Sequence, residues 1–163
     1  FVDGLKLLYK PNSVDHKALL LVTSDDGQKA NIMPFTSWII SPADPQGWSV
    51  SVYIFTKHYS HELIEQTGQF TVNVPRDGME DIVKFCGSVS GRNHDKFKEI
   101  NLTQVASQHV APPIIGECSV YLECETRSSS PFTMTFPGQD KEDIEMTVFE
   151  ARIVAIHAAD DIA

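Results

Sequence analysis

The chain has 163 residues, with 13 basic and 22 acidic side chains and a formal net charge of −9. This acidic excess disfavours nucleic acid and anionic membrane surfaces as partners, because both are bound mainly through Lys and Arg. Apolar residues make up 42% of the chain, enough for a full core, and the length predicts a single domain over residues 1–163.

Cysteine content and the lack of targeting patterns predict a cytoplasmic location. No apolar run approaches the roughly 18 residues needed to span a bilayer, and no signal-peptide pattern is visible. Cys86, Cys118 and Cys124 form an odd set without the spacing of a disulfide framework, so we expect reduced thiols. Cys118 and Cys124 are spaced so that they could share one face of a strand.

The first third of the chain indicates strands. The aliphatic run at 18–23 and the extended pattern at 29–33 flank Asp25-Asp26-Gly27, a tight turn in which Gly27 can adopt a positive φ, and together they predict a hairpin. Prolines at 42 and 45 with Gly47 predict a loop. Residues 48–56 (WSVSVYIFT) then alternate apolar and polar side chains, the period of a strand.

Three short helices are predicted. The first begins with Ser60 as its N-cap and stops at Gly68. The second covers 79–86, where apolar residues recur at helical spacing. The third begins near Asn93.

The remaining segments predict an antiparallel β protein. Residues 70–74 form a strand ended by Pro75, and two long strands follow at 119–127 and 145–157. Between the long strands, residues 128–141 predict a loop or an irregular hairpin. A β-rich chain of this length closes most naturally as a barrel, which also removes exposed strand edges.

Known motifs for several chemistries are missing from the sequence. It contains no G-x-G-x-x-G after a strand, no Walker loop and no Gly-x-Ser-x-Gly elbow. His58 and His61 could chelate a metal, but a solvated helix start is the favoured interpretation. We therefore predict no metal site, and we nominate no catalytic acid or base.

Two clusters have a composition that suits a nucleotide-like ligand. In NIMPFTSW (31–38), the residues Asn31, Thr36, Ser37 and Trp38 could line a planar, hydrogen-bonding ring system, although spacing alone favours Trp38 as a core residue. In TKHYSHELI (56–64), a strand passes into a helix. Thr56, Lys57 and Ser60 there combine hydroxyls, an ammonium and helix amides, which suits a phosphate, with plain helix capping as the alternative.

The third cluster is the loop CGSVSGRNHDKF (86–97). Ser88, Ser90 and Gly91 would let backbone and hydroxyl donors approach an anion. Arg92 could hold a phosphate with two parallel bonds, and Lys96 could place a charge beside a ring. The alternative is a polar loop between two helices.

Together with longer stretches, these clusters resemble the FMN-binding split-barrel proteins of the flavin reductase and flavoredoxin family. The resemblance extends from about residue 19 to residue 157. It is carried by LLLVTSDDGQKANIM (19–33), HELIEQTGQFTVNVP (61–75), FCGSVSGRNHDKF (85–97), LT (102–103) and APPIIGECSVYLECE (111–125).

The resemblance implies an antiparallel, Greek-key-like split β-barrel with a few short helices, usually a homodimer, with FMN in a groove near the subunit interface. FAD is a second possibility for the flavin. The implied activity is an NAD(P)H:flavin oxidoreductase that transfers a hydride from the nicotinamide to flavin N5. The alternative is a non-enzymatic FMN electron-transfer protein that docks a redox partner protein, and a third option is a barrel that binds another ligand or none.

The matching motifs also imply roles for the site residues. Those expected to face the ring and ribityl chain are Asn31, Thr36, Ser37 and Trp38. Those expected near the phosphate are Thr56, Lys57 and Ser60. Those expected to close the far side are Ser90, Gly91, Arg92 and Lys96.

Two features of the sequence depart from the family pattern. Met146 stands where family members often carry a histidine near the flavin, and residues 128–141 differ from the usual short connection. Relatives also often continue beyond the position of Ala163. The effect of these differences on cofactor binding is left open by the sequence.

Overall fold

The computed structural model describes residues 18–25, 29–43, 47–135 and 143–159. This part of the chain is mostly β-strand with three short helices, as predicted. The strands are β1 (Leu19–Asp25), β2 (Lys29–Phe35), β3 (Trp38–Ala43), β4 (Gly47–Phe55), β5 (Gln69–Val74), β6 (Gln104–Val105), β7 (Ile114–Ile115), β8 (Val120–Met134) and β9 (Ile144–Ala158). The helices are α1 (Tyr59–Thr67), α2 (Glu80–Ser88) and α3 (Lys96–Glu99).

Seven of these strands form one antiparallel sheet in the order β2-β1-β5-β8-β9-β4-β3. Its terminal strands, β2 and β3, are consecutive in the chain and are separated only by residues 36 and 37, so the two ends of the sheet must approach each other. One apolar core accordingly collects inward-facing side chains from both ends and the middle of the sheet, among them Met33, Val52 and Leu122. The sheet is an antiparallel split β-barrel, and the predicted fold class is confirmed.

The opposite face of β1 is also buried. Leu20 and Val22 pack in a second apolar cluster with Cys86 of α2, Phe97 of α3 and Ile115 of β7. Burial on both faces explains why β1 is a continuous aliphatic run without alternation. The second cluster holds α2 and α3 against β1 and β2, at the place where the candidate site forms.

The predicted hairpin is confirmed, since β1 and β2 pair with Thr23 opposite Asn31; residues 26–28 of its turn lie outside the described part. Of the two alternatives predicted for 128–141, a loop or an irregular hairpin, the hairpin is confirmed for 128–134. These residues continue β8, because β9 supplies a hydrogen-bonding partner along their whole length and places Phe132 opposite Met146. Residues 136–141 of this predicted segment lie outside the described residues.

The start of α1 differs from the prediction. The helix begins at Tyr59 with His58 as its N-cap, and no side chain caps it. Ser60 is buried inside the first turn, where its hydroxyl is engaged by Asn31 across the cleft described below. The predicted C-terminal stop is confirmed: Gly68 has φ 67° and its N–H donates to the Ile64 carbonyl at 2.7 Å.

The boundaries of the other two helices also differ from the prediction. Helix α2 runs from Glu80 to Ser88 rather than over 79–86. Helix α3 begins at Lys96 rather than near Asn93, because the Asp95 carboxylate accepts from the Lys98 N–H at 3.2 Å and so caps the helix at that point.

The three cysteines are buried and free. Cys118 precedes β8 and packs in the second cluster, whereas Cys124 lies in the barrel core, so the prediction that they share a strand face is wrong. Burial raises the pKa of Cys86 to about 11 and that of Cys118 to about 12. Their thiols are therefore protonated and unreactive at neutral pH.

The described residues include neither a membrane-spanning helix nor a cluster of metal-binding side chains. No helix among them is long and apolar enough to cross a membrane. Nor do they contain a group of three or more His, Cys, Asp or Glu side chains able to hold a metal ion. His61, considered above as a possible metal ligand together with His58, instead contacts a hydroxyl: its Nε2 atom lies 2.7 Å from the Thr147 hydroxyl.

A buried carboxylate fastens the segment between β6 and β7 to the barrel. Glu123 of β8 accepts hydrogen bonds from the backbone N–H groups of Gln108 and His109, at 3.0 and 2.6 Å, and lies 2.8 Å from the His157 Nε2 atom. Burial raises the pKa of Glu123, but these hydrogen bonds outweigh burial, so the net pKa lies below its usual value.

We predict that Glu123→Gln makes the stability less sensitive to acid. Because the pKa is lower in the folded state, the carboxylate stabilises the fold above its unfolded pKa of 4.5, and this stabilisation is lost as the pH falls through the folded value. Urea denaturation at pH 7 should show the variant less stable by about 1–3 kcal/mol. The difference from the unmodified protein should shrink at pH 3.5; a constant difference would contradict this account.

Candidate functional site

A cleft of about 390 Å³ opens where β2, the start of α1 and the loop after α2 meet. This volume lies within the range of roughly 300–1,000 Å³ typical of small-molecule sites. Its walls come from three separate stretches of the chain. The lining residues are Asn31, Met33, Pro34, Lys57, His58, Tyr59, Ser60, Cys86, Gly87, Ser88, Val89, Ser90, Gly91, Arg92 and Lys96.

Lys96 provides a buried positive charge at this cleft. Its Nζ atom donates to the carbonyl of Ile32 on β2 at 2.7 Å and to the carbonyl of Cys86 on α2 at 2.6 Å. The side chain is only 3% exposed, and burial lowers the pKa of Lys96 below its usual value. No carboxylate among the described residues forms an ion pair with it, so its charge remains uncompensated by protein acids.

A second contact crosses the cleft from β2 to α1. The Asn31 Nδ2 group donates to the Ser60 hydroxyl at 2.9 Å, and both residues are buried. The Asn31 Oδ1 atom is buried without a hydrogen-bond partner among the described residues. Gly91 packs directly on this amide, and a methyl group there would overlap the Asn31 side chain. The loop therefore approaches β2 this closely only because residue 91 is glycine.

The junction between β4 and α1 forms the third wall. The His58 Nδ1 atom lies 3.0 Å from the Met33 sulfur, and its ring meets Phe55 edge to face. Burial lowers the pKa of His58, and the nearby cations of Lys57 and Lys96 lower it further, so the imidazole is neutral at pH 7. The first-turn amides of a helix lack acceptors within it, so the start of α1 adds partial positive charge here.

Arg92 stands at the exposed side of the cleft. Its guanidinium donates to the Glu62 carboxylate at 2.7 Å and lies over the Tyr59 ring, 5.0 Å from the ring centroid. Both partners of the ion pair are about half exposed. Arg92 is thus held by α1 rather than extended into solvent.

The charge of the cleft is opposite to that of the chain. Its described lining contains the cations of Lys57, Arg92 and Lys96 and no carboxylate, whereas the whole chain has a net charge of −9. Such a site attracts an anion locally. The side chains that line it include no nucleophile paired with a base, so the arrangement is suited to holding a ligand rather than to acid–base chemistry of its own.

The structure brings together seven of the eleven residues predicted from the sequence. They are Asn31, Lys57, Ser60, Ser90, Gly91, Arg92 and Lys96. Four lie outside the lining. Thr36 and Ser37 are exposed between β2 and β3, Trp38 packs against the barrel core, and the Thr56 hydroxyl donates to the Glu145 carbonyl.

Some lining residues were missed in the sequence. Met33 follows Asn31 by two positions on β2, so strand alternation would have placed it on the same face. Pro34 lies against Gly87, where an added Cβ would come within 3.1 Å of the proline ring. No local pattern predicts this contact, because it joins β2 to the end of α2.

The donor set fits a flavin mononucleotide. Amide and hydroxyl groups of Asn31 and Ser60 can meet the polar edge of a planar ring, and three cations can offset a phosphate. The Lys96 ammonium, which has three N–H donors and uses two of them on carbonyls, keeps one donor for a ligand.

The family of this chain is shown by its match to a known protein-family model. The model for the flavin reductase like domain matches residues 16–163. The chain belongs to this family. A curated relative from Pyrococcus abyssi, itself uncharacterized, is 30% identical to this flavin reductase-like chain over 132 residues, which are 80% of the chain and 70% of the relative. An uncharacterized protein of Archaeoglobus fulgidus is 35% identical over 98 residues, 60% of the chain but only 54% of that relative's length.

Solved structures of other flavin-related proteins have the same fold as this chain. The flavoredoxin of Desulfovibrio vulgaris superposes with a TM-score of 0.74 at 23% identity, covering 94% of this chain and 75% of its own. The flavoredoxin of Methanosarcina acetivorans gives 0.71 at 27% identity, covering 95% and 76%. The NADH:FAD oxidoreductase of Streptomyces globisporus gives 0.67 at 17% identity, covering 87% and 75%.

We predict that Gly91→Ala disrupts the cleft. The added methyl must displace the Asn31 amide and so weaken its bond to Ser60. Overpacking of this kind costs about 1–3 kcal/mol of unfolding free energy, measurable by urea denaturation. Gly47→Ala is the matched control, because its methyl would meet no atom within 4 Å. Equal stability of the two variants would show that Gly91 is not confined by Asn31.

Proposed function

We propose that this flavin reductase-like protein binds FMN in the cleft and acts as an NAD(P)H:flavin oxidoreductase. The observation that carries the proposal is that the described residues of the lining include three cations, one of them buried, and no carboxylate, in a member of this family. A bound flavin supplies an N5 atom that can accept a hydride from a reduced nicotinamide. The protein itself need supply only binding, orientation and charge.

The residues of each cleft wall have a proposed role in binding FMN. Asn31 and Ser60, joined by their own hydrogen bond, fix the polar edge of the ring. Lys96 offsets negative charge on the ring. Lys57 and Arg92, beside the first turn of α1, receive the phosphate. Since none of these residues must donate or take up a proton, we assign no catalytic acid or base.

FMN is favoured over FAD by the resemblance of the motifs to FMN-binding split barrels. An FMN-binding protein of Thermus thermophilus is also a structural neighbour, with a TM-score of 0.69 at 21% identity and coverage of 95% of this chain and 81% of its own. FAD stays a possible substrate, because the Streptomyces neighbour is named for it.

A second candidate function is an FMN-binding electron carrier that docks a redox partner protein. It is favoured by the two flavoredoxins among the structural neighbours. A homodimer, a cytoplasmic location and a single domain over residues 1–163 stay predictions. The exposure of Ile39 on the terminal strand β3, at 54%, is compatible with a subunit contact.

We predict that Lys96→Met weakens FMN binding at least about tenfold, because it removes a buried charge that faces the proposed ring. Titration of flavin fluorescence measures the dissociation constant. Lys98→Met is the control, since Lys98 lies on the same helix but is exposed. If both variants bound FMN equally well, Lys96 would not be part of the FMN-binding site.

The enzyme and the carrier are separated by nicotinamide oxidation. We expect the purified protein with added FMN to oxidise NADH or NADPH steadily, followed at 340 nm, because flavin is then reduced and reoxidised in turn. Flavin binding without any NAD(P)H oxidation would favour the carrier. A protein that neither contains flavin nor binds added FMN would defeat both.

A further inference from the structure

The ion pair between Glu62 and Arg92 bears directly on how an anion can enter the cleft. Arg92 lines the cleft, whereas Glu62 lies outside the lining on the first turn of α1. Their charged atoms are 2.7 Å apart, and the guanidinium is also stacked over Tyr59. Arg92 is the only lining cation paired with a carboxylate among the described residues; Lys96 bonds only to carbonyls.

The position of Glu62 is one that a phosphate would also favour. A carboxylate in the first turn of a helix is stabilised by the partial positive charge of the N-terminus. The same carboxylate accepts from the guanidinium, whose planar fork matches a phosphate as well as a carboxylate. Glu62 therefore already engages the guanidinium that would otherwise be available to the anionic end of a ligand.

We propose that Glu62 is an internal competitor for Arg92 and thereby sets how strongly this site prefers a phosphorylated flavin over an unphosphorylated one. A phosphate ester that reaches Arg92 must displace the Glu62 carboxylate or share the guanidinium with it, and the two anions repel each other. Riboflavin, which lacks the phosphate, leaves the pair intact. This proposal rests on the proposed function of the cleft.

The exposure of the pair sets the size of the effect. Side-chain exposures are 44% for Arg92 and 47% for Glu62, so solvent screens the attraction and displacement is possible. Removing the competing carboxylate should tighten phosphate-bearing ligands by about three- to tenfold, the range expected for a partly screened charge at this distance. The gain should fall as salt is added, because exposed charges are screened.

The test compares Glu62→Gln with the unmodified protein for FMN and for riboflavin, by fluorescence titration at low and at physiological salt. We expect Glu62→Gln to bind FMN about three- to tenfold more tightly at low salt with no change for riboflavin. Glu65→Gln is the control: it lies on the same helix, is exposed and changes the net charge equally. Combining Glu62→Gln with Arg92→Gln should abolish the gain.

Three results would overturn the proposal. FMN binding that is unchanged in Glu62→Gln would mean that Glu62 does not compete with the ligand for Arg92. Weaker FMN binding would mean that Glu62 instead holds Arg92 in position for the ligand. An equal gain for riboflavin, or for Glu65→Gln, would reduce the effect to net charge. An unmodified protein that binds neither flavin would instead overturn the proposed function, and this proposal with it.

Discussion

The buried ammonium of Lys96 is the contact on which the shape of the cleft depends. Its two hydrogen bonds, to Ile32 and Cys86, join α3 to the neighbouring helix α2 and to β2, which is far away in the chain. Burying an amine is unfavourable unless its hydrogen-bonding capacity is used. The fold meets this condition with backbone carbonyls instead of a carboxylate, and so it keeps a positive charge where a ligand can use it.

The two-sided burial of β1 makes this arrangement possible. One face completes the barrel core, while the other face, with Leu20 and Val22, anchors α2 and α3. The loop between these helices is thereby held against β2, where Gly91 meets Asn31. Stability and site geometry are coupled in this protein, because the same outer cluster that covers the sheet also fixes one wall of the cleft.

Much of the fold and part of the site could be predicted from the sequence. Strand alternation, the glycine stop at Gly68 and the aliphatic run of β1 are local signals, and they predicted the right elements. The polar run at 128–134 left a loop and an irregular hairpin open, because its strand is held by pairing with β9 and not by a local signal. Spacing favoured Trp38 as a core residue, and Trp38 packs on the core. No local pattern, however, indicates that Glu62 engages Arg92.

We propose that FMN occupies the cleft between β2, the start of α1 and the loop after α2. Backbone amide chemical shifts recorded by NMR while FMN is added test it most directly, because they report position without any substitution. We expect the largest changes in amide chemical shift at residues 57–60 and 86–92. Changes concentrated elsewhere, such as on residues 128–134, or no changes at saturating FMN, would contradict it.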